Sequence, residues 1–179
     1  MRRITMRDFR WLSVPKSYEK NHREVLVHVD PCLTVIQGPL LLAVSDESFS
    51  FDATMSVPES NTFCGLCVYH LDTTYTAVGL SQDTLQIQSS IGGFVNNSII
   101  PYTIGSHEAR WRLKRHGSHM EISLIPEDGN KPIPLSSFTL PASEDSISFG
   151  FYFCNHTQQR HAMRLHTITY LKDSADTIA

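Results

Sequence analysis

Short runs that alternate apolar with polar residues recur along the whole chain, and apolar residues almost never return at the three-to-four spacing of a helix. Period-two patterning predicts strands over 25–29, 40–44, 49–57, 62–71, 75–80, 84–90, 94–100, 109–116, 119–125, 138–140, 146–155 and 163–171. Clusters of Gly, Pro, Asn, Asp and Ser separate them, so consecutive strands are expected to pair antiparallel. Leu71-Asp72-Thr73-Thr74 and Arg115-His116-Gly117-Ser118 read as hairpin turns, Ile91-Gly92-Gly93-Phe94 as a further turn, and Glu127-Asp128-Gly129-Asn130 supplies residues that tolerate positive φ. In 109–115 the alternation sends Trp111 and Leu113 to a core face and Arg110, Arg112 and Lys114 to the other. In 147–153 it aligns Phe149, Phe151 and Phe153 inward, with Gly150 and Tyr152 opposite. A set of strands this size suits two stacked sheets, an all-β antiparallel sandwich.

Composition narrows the picture. A chain of 179 residues with 41% hydrophobic content is long enough to enclose a core between two layers and is expected to form one domain over 1–179. A formal net charge of -3 with scattered Lys and Arg gives no footprint for a phosphate backbone, so no nucleic-acid partner is expected. The apolar run Pro39-Leu40-Leu41-Leu42-Ala43-Val44 falls far short of the roughly 20 residues that cross a bilayer. The basic N-terminus has no hydrophobic stretch behind it, and the chain reads as cytoplasmic and free of membrane. Cys32, Cys64, Cys67 and Cys154 lack the dense spacing of a disulfide scaffold, and buried free thiols are expected. Asn96-Asn97-Ser98 and Asn155-His156-Thr157 match the glycosylation pattern, which has no consequence without secretion.

Five segments in order carry a resemblance: Phe9 to Pro15, Phe49 to Val57, the hairpin from Gly65-Leu66 to Gly79-Leu80, Trp111 to Gly117, and Ser148-Phe149-Gly150-Phe151-Tyr152. The chain resembles the concanavalin-like domains of unknown function grouped with a yeast regulator of enolase, which are related to the C-terminal sandwich of β-xylosidases. The resemblance spans roughly 9–171. It implies a concanavalin-like jelly roll with one concave sheet and, from the xylosidase relatives, a domain that accompanies catalysis without performing it. Where the last strand of those relatives often carries an Asp, this chain has His166, so no metal ligand is carried over.

Candidate chemistry follows from spacing. Cys64-Gly65-Leu66-Cys67 has the spacing of a redox or zinc pair, but on a strand residues three apart point to opposite faces. The nine histidines place no two-His-plus-carboxylate set on one strand face, and His116 and His119 flank a solvated hairpin tip; no metal and no cofactor are expected. Glycoside hydrolysis needs two carboxylates across a cleft, and no strand of alternating acids supplies them. Asp46-Glu47, Glu127-Asp128 and Glu144-Asp145 lie in loops, and Asp52, Glu108 and Glu121 have no visible partner. Gly-x-Ser-x-Gly and phosphate-cradling loops are absent.

Sugar recognition uses aromatic faces and planar polar groups on a rigid sheet. Tyr69, His70, Tyr75, Arg112, Lys114 and Tyr152 are the candidate ligand-binding residues, while Trp111 reads as core and Trp11 as an anchor for the first strand. The leading expectation is a non-catalytic module receiving a carbohydrate or polar small molecule on the concave sheet. Two alternatives stay open: a glycoside-active enzyme with an unrecognised acidic pair, and a protein-interaction or homo-oligomerising domain using a sheet face or edge.

Overall fold

The computed structural model describes residues 3–140 and 146–172, and these form two seven-stranded antiparallel sheets packed face to face. In chain order the strands are β1 (Arg10–Ser13), β2 (Ser17–Lys20), β3 (Val25–Val29), β4 (Leu40–Ser45), β5 (Phe49–Ser56), β6 (Thr62–Leu71), β7 (Thr74–Leu80), β8 (Thr84–Ile91), β9 (Phe94–Pro101), β10 (Glu108–His116), β11 (His119–Ile125), β12 (Ile133–Thr139), β13 (Ile147–Asn155) and β14 (His161–Lys172). The first sheet runs β1-β4-β13-β6-β7-β8-β9 and the second β12-β11-β10-β5-β14-β3-β2. This is the expected jelly-roll sandwich. Among the described residues no helix is long and apolar enough to cross a membrane.

The core lies where inward positions of both sheets meet. Phe49 packs on Phe149 with ring centroids 4.6 Å apart, and Phe9 sits among Phe51, Phe149 and Phe151 at 5.3 to 5.9 Å. Trp111 is fully buried beside them, and half-buried Trp11 packs against Tyr18 and Phe153. Arg115 continues the inward row of β10 and is buried. Its guanidinium donates to the Ser45 and Gly117 carbonyls at the end of the sandwich, where a hydrophobe would leave those oxygens without donors.

Three features depart from simple alternation. β2, a short exposed edge strand, carries no apolar period and was not expected. β12 begins at Ile133 and not at 138, because Pro132 and Pro134 mask an edge strand that tolerates missing donors. β14 bulges between Leu165 and Thr167, which turns His166 out of the ladder. Each expected hairpin turn forms, with Gly92, Gly93, Gly117 and Gly129 at positive φ.

Candidate functional site

The outward side of the first sheet carries a row of small residues, Gly65, Cys67, Ala77 and Gly79, between larger neighbours. Tyr152 lies across this trough. A methyl group at Gly79 would strike its hydroxyl, so the ring occupies the room that glycine leaves. The Tyr152 hydroxyl donates to Gln86 Oε1 at 3.0 Å, and the Tyr75 hydroxyl donates to Gln88 Oε1 at 2.7 Å. Asn97 Oδ1 accepts from both glutamines. The connection from β3 to β4, residues 30–39, folds over this network as a strap: Val35 is fully buried on Leu40, Phe63, Tyr75 and Tyr152, and its N–H donates to Gln88 Oε1. The strap covers this face, and the β8–β9 hairpin extends the sheet beside it.

The six predicted residues therefore divide among surfaces. Tyr69, Tyr75 and Tyr152 share the outward side of the first sheet, but Tyr75 and Tyr152 are buried and hydrogen-bonded beneath the strap. Tyr69 is half-buried and donates to Asp72; burial, then that carboxylate, pushes its phenol up to about 12. His70 points the other way along β6, into a 260 Å³ apolar cleft with Val68, Thr76, Phe138 and Leu140. Arg112 and Lys114 stand on the outward side of the second sheet, across the sandwich from the tyrosines. Arg112 makes a two-point ion pair with Asp52, 2.7 and 2.8 Å, and that pair raises the guanidinium pKa further. Alternation along a strand told outward from inward but not which sheet an outward residue belongs to.

Other side chains also find partners. Glu108 lies 3.1 Å from His166 Nε2, and Glu121 accepts from the Ser123 hydroxyl. Cys64 faces the core and Cys67 the tyrosine side, as a strand requires, and burial pushes both thiols up to about 12. No cluster of three metal-binding side chains occurs among the described residues.

A depression of about 720 Å³ lies on the outward side of the second sheet. Its floor is Thr54, Arg110 and Thr167, neighbours on β5, β10 and β14. One wall is the 102–107 segment, fixed at its two ends by Tyr102 N–H to the Asp83 carbonyl and by Val57 N–H to the His107 carbonyl. The other is the turn of Pro126, Glu127 and Asp128; the Ser106 hydroxyl donates to Glu127 Oε1 at 2.8 Å and ties the walls together. The bulged His166 enters from β14 and meets Ser56 Oγ at 3.2 Å. Arg110 makes no ion pair among the described residues, so its donors face the cleft open. One aromatic ring, one unpaired guanidinium, several carboxylates and hydroxyls thus line a volume in the range of small-molecule sites. Sequence reasoning missed Tyr102, Arg110, Glu127 and His166 as a group because loops and a bulge bring them together.

Neither a protein-family model nor a curated protein matches the sequence. Solved structures share its fold. A functionally unknown protein from Saccharomyces cerevisiae superposes with a TM-score of 0.78 at 14% identity, over 95% of this chain and 99% of that one. The GH43 protein BlXynB from Bacillus licheniformis gives 0.75 at 9% identity over 93% of this chain, which spans only 37% of that protein. The carbohydrate binding module CBM66 from Bacillus subtilis gives 0.59 at 10% identity, over 90% and 95% of the two chains. At these identities the likeness establishes the concanavalin-like sandwich fold and nothing finer.

Proposed function

We propose that the chain is a non-catalytic binding module for a carbohydrate or similar polar small molecule, and that the ligand occupies the 720 Å³ cleft on the second sheet. The observation that carries this is the convergence of Tyr102, unpaired Arg110 and the Glu127-Asp128 turn around a floor of threonines. An aromatic face suits the apolar side of a pyranose ring, and charged planar groups suit its hydroxyls. The buried tyrosines of the first sheet are held by their own hydrogen bonds and have no face to offer while the strap is in place. The similarity to a carbohydrate binding module supports the ligand class, and the order of motifs along 9–171 supports membership of the enolase-regulator group.

A glycoside-active enzyme fits less well. A general acid needs a carboxyl withdrawn from water, and Glu108, Glu127 and Asp128 are all exposed. Association through a sheet edge is favoured by one observation, the wholly exposed β9.

The test is a thermal-shift screen of the protein against mono- and oligosaccharides, since a ligand of the native state raises Tm by mass action. A saccharide that raises Tm for the wild type and for Arg112→Ala, but not for Arg110→Ala or Tyr102→Ala, is the expected result. A flat response to every sugar would sink the proposal and leave edge association as the better reading.

A further inference from the structure

The strap is held to β13 by more than packing. Cys32 N–H donates to the Asn155 carbonyl at 2.8 Å and Asn155 N–H donates to Cys32 Sγ at 3.3 Å, so one backbone bond and one bond to the sulfur already tie the strap to β13. The Cys32 and Cys154 sulfurs are 3.5 Å apart, and His156 Nε2 stands 3.3 Å from Cys154 Sγ. We propose that Cys32 and Cys154 are a thiol pair that exchanges with a low-molecular-weight disulfide and closes into a bond pinning the strap to the first sheet. This stands apart from ligand binding in the cleft.

The two sulfurs have unlike surroundings, and that sets the order of events. Cys32 is half-exposed; its hydrogen bond with Cys154, then that from the Asn155 N–H, lower its thiol to about 7 against the opposing effect of burial. Cys154 is buried, and its thiol is raised. Cys32 is therefore the attacking thiolate. It attacks one sulfur of the small disulfide; the reagent's S–S bond breaks, one half leaves as a thiolate, and the other stays on Cys32 as a mixed disulfide. Cys154 then attacks Cys32 Sγ while its proton passes to His156, whose imidazole is kept neutral by burial. The mixed bond breaks and the second half leaves as a thiolate. Two protein thiols are oxidised and one reagent disulfide is reduced to two thiols. Closing the sulfurs to a bond of about 2 Å needs a movement of about 1.5 Å, small for a strap already in register. Cys64 and Cys67 do not compete, being buried with high thiol pKa values.

The experiment incubates the native protein with glutathione disulfide, stops exchange with acid, and reads intact mass and linked peptides. The wild type is expected to lose the mass of two hydrogens, to show a 32–154 crosslink, and to melt at a higher temperature. Cys154→Ser is expected to stop at one glutathione on residue 32, and Cys32→Ser to stay unmodified until denatured. His156→Gln keeps all four cysteines and is expected to form the mixed disulfide normally but to close at least about tenfold more slowly. Because Cys154→Ser removes a buried group, the wild-type crosslink and His156→Gln decide the matter if that variant fails to fold. A stable wild-type adduct without closure, a crosslink between other cysteines, or no reaction of the native protein would overturn the proposal.

Discussion

Gly79 and Tyr152 are one packing unit, since the glycine's missing side chain is the space the phenol fills. Gly79→Ala is expected to cost about 1–3 kcal/mol through overpacking. Tyr152→Phe should cost about 1–2 kcal/mol, because Gln86 Oε1 is left buried without its donor. The double variant should cost less than the sum, since removing the hydroxyl relieves part of the clash; urea denaturation of all three reads both effects. His156 supplies a pH signature. Burial lowers its imidazole below the ordinary 6.5, so the unfolded chain binds a proton that the fold does not. Stability is accordingly expected to fall as pH drops through about 6.5, where the unfolded imidazole charges first. Urea midpoints from about pH 8 to about pH 5 should decline for the wild type and decline less for His156→Gln.

Among the elements, the strap closes the outward side of the first sheet. Val35 inserts into a pocket of Leu40, Phe63 and Tyr152, and Val35→Ala is expected to cost about 2 kcal/mol and to raise hydrogen exchange at the Tyr75 and Tyr152 amides. The strap is also where the sequence became illegible. β6 and β11 fall on the bounds that alternation predicts, because one face of each strand is plainly core. Tyr152 and Tyr75 sit at outward positions and read as exposed, yet a connection without periodicity covers them. Prolines hid the start of β12, and a bulge that shifts register by a residue hid the direction of His166. Period-two reasoning placed Arg112 outward and could not know that Asp52, 60 residues earlier, waits opposite it. The fold was thus legible from local pattern, whereas the cleft depends on contacts between distant loops.

At the scale of the whole molecule, the first sheet ends in an unprotected edge. Every residue of β9 is exposed, Phe94 at 86%, and residues 84–107 contain no Asp, Glu, Lys or Arg to repel a second strand. Ile99→Lys is expected to reduce concentration-dependent light scattering without lowering Tm, since it charges the edge and removes little buried area. The strand order has a further consequence, in time. β13 lies between β4 and β6, and β14 between β5 and β3, so the pairs β1-β4 and β2-β3 join their sheets only through strands far later in the chain. On the ribosome the meander β6 to β9 can form while the leucines of β4 wait without a partner on their inner edge. Both sheets close only when residues 147–172 have left the exit tunnel, so the leucines of β4 stay without their inner partner until more than a hundred further residues have been made.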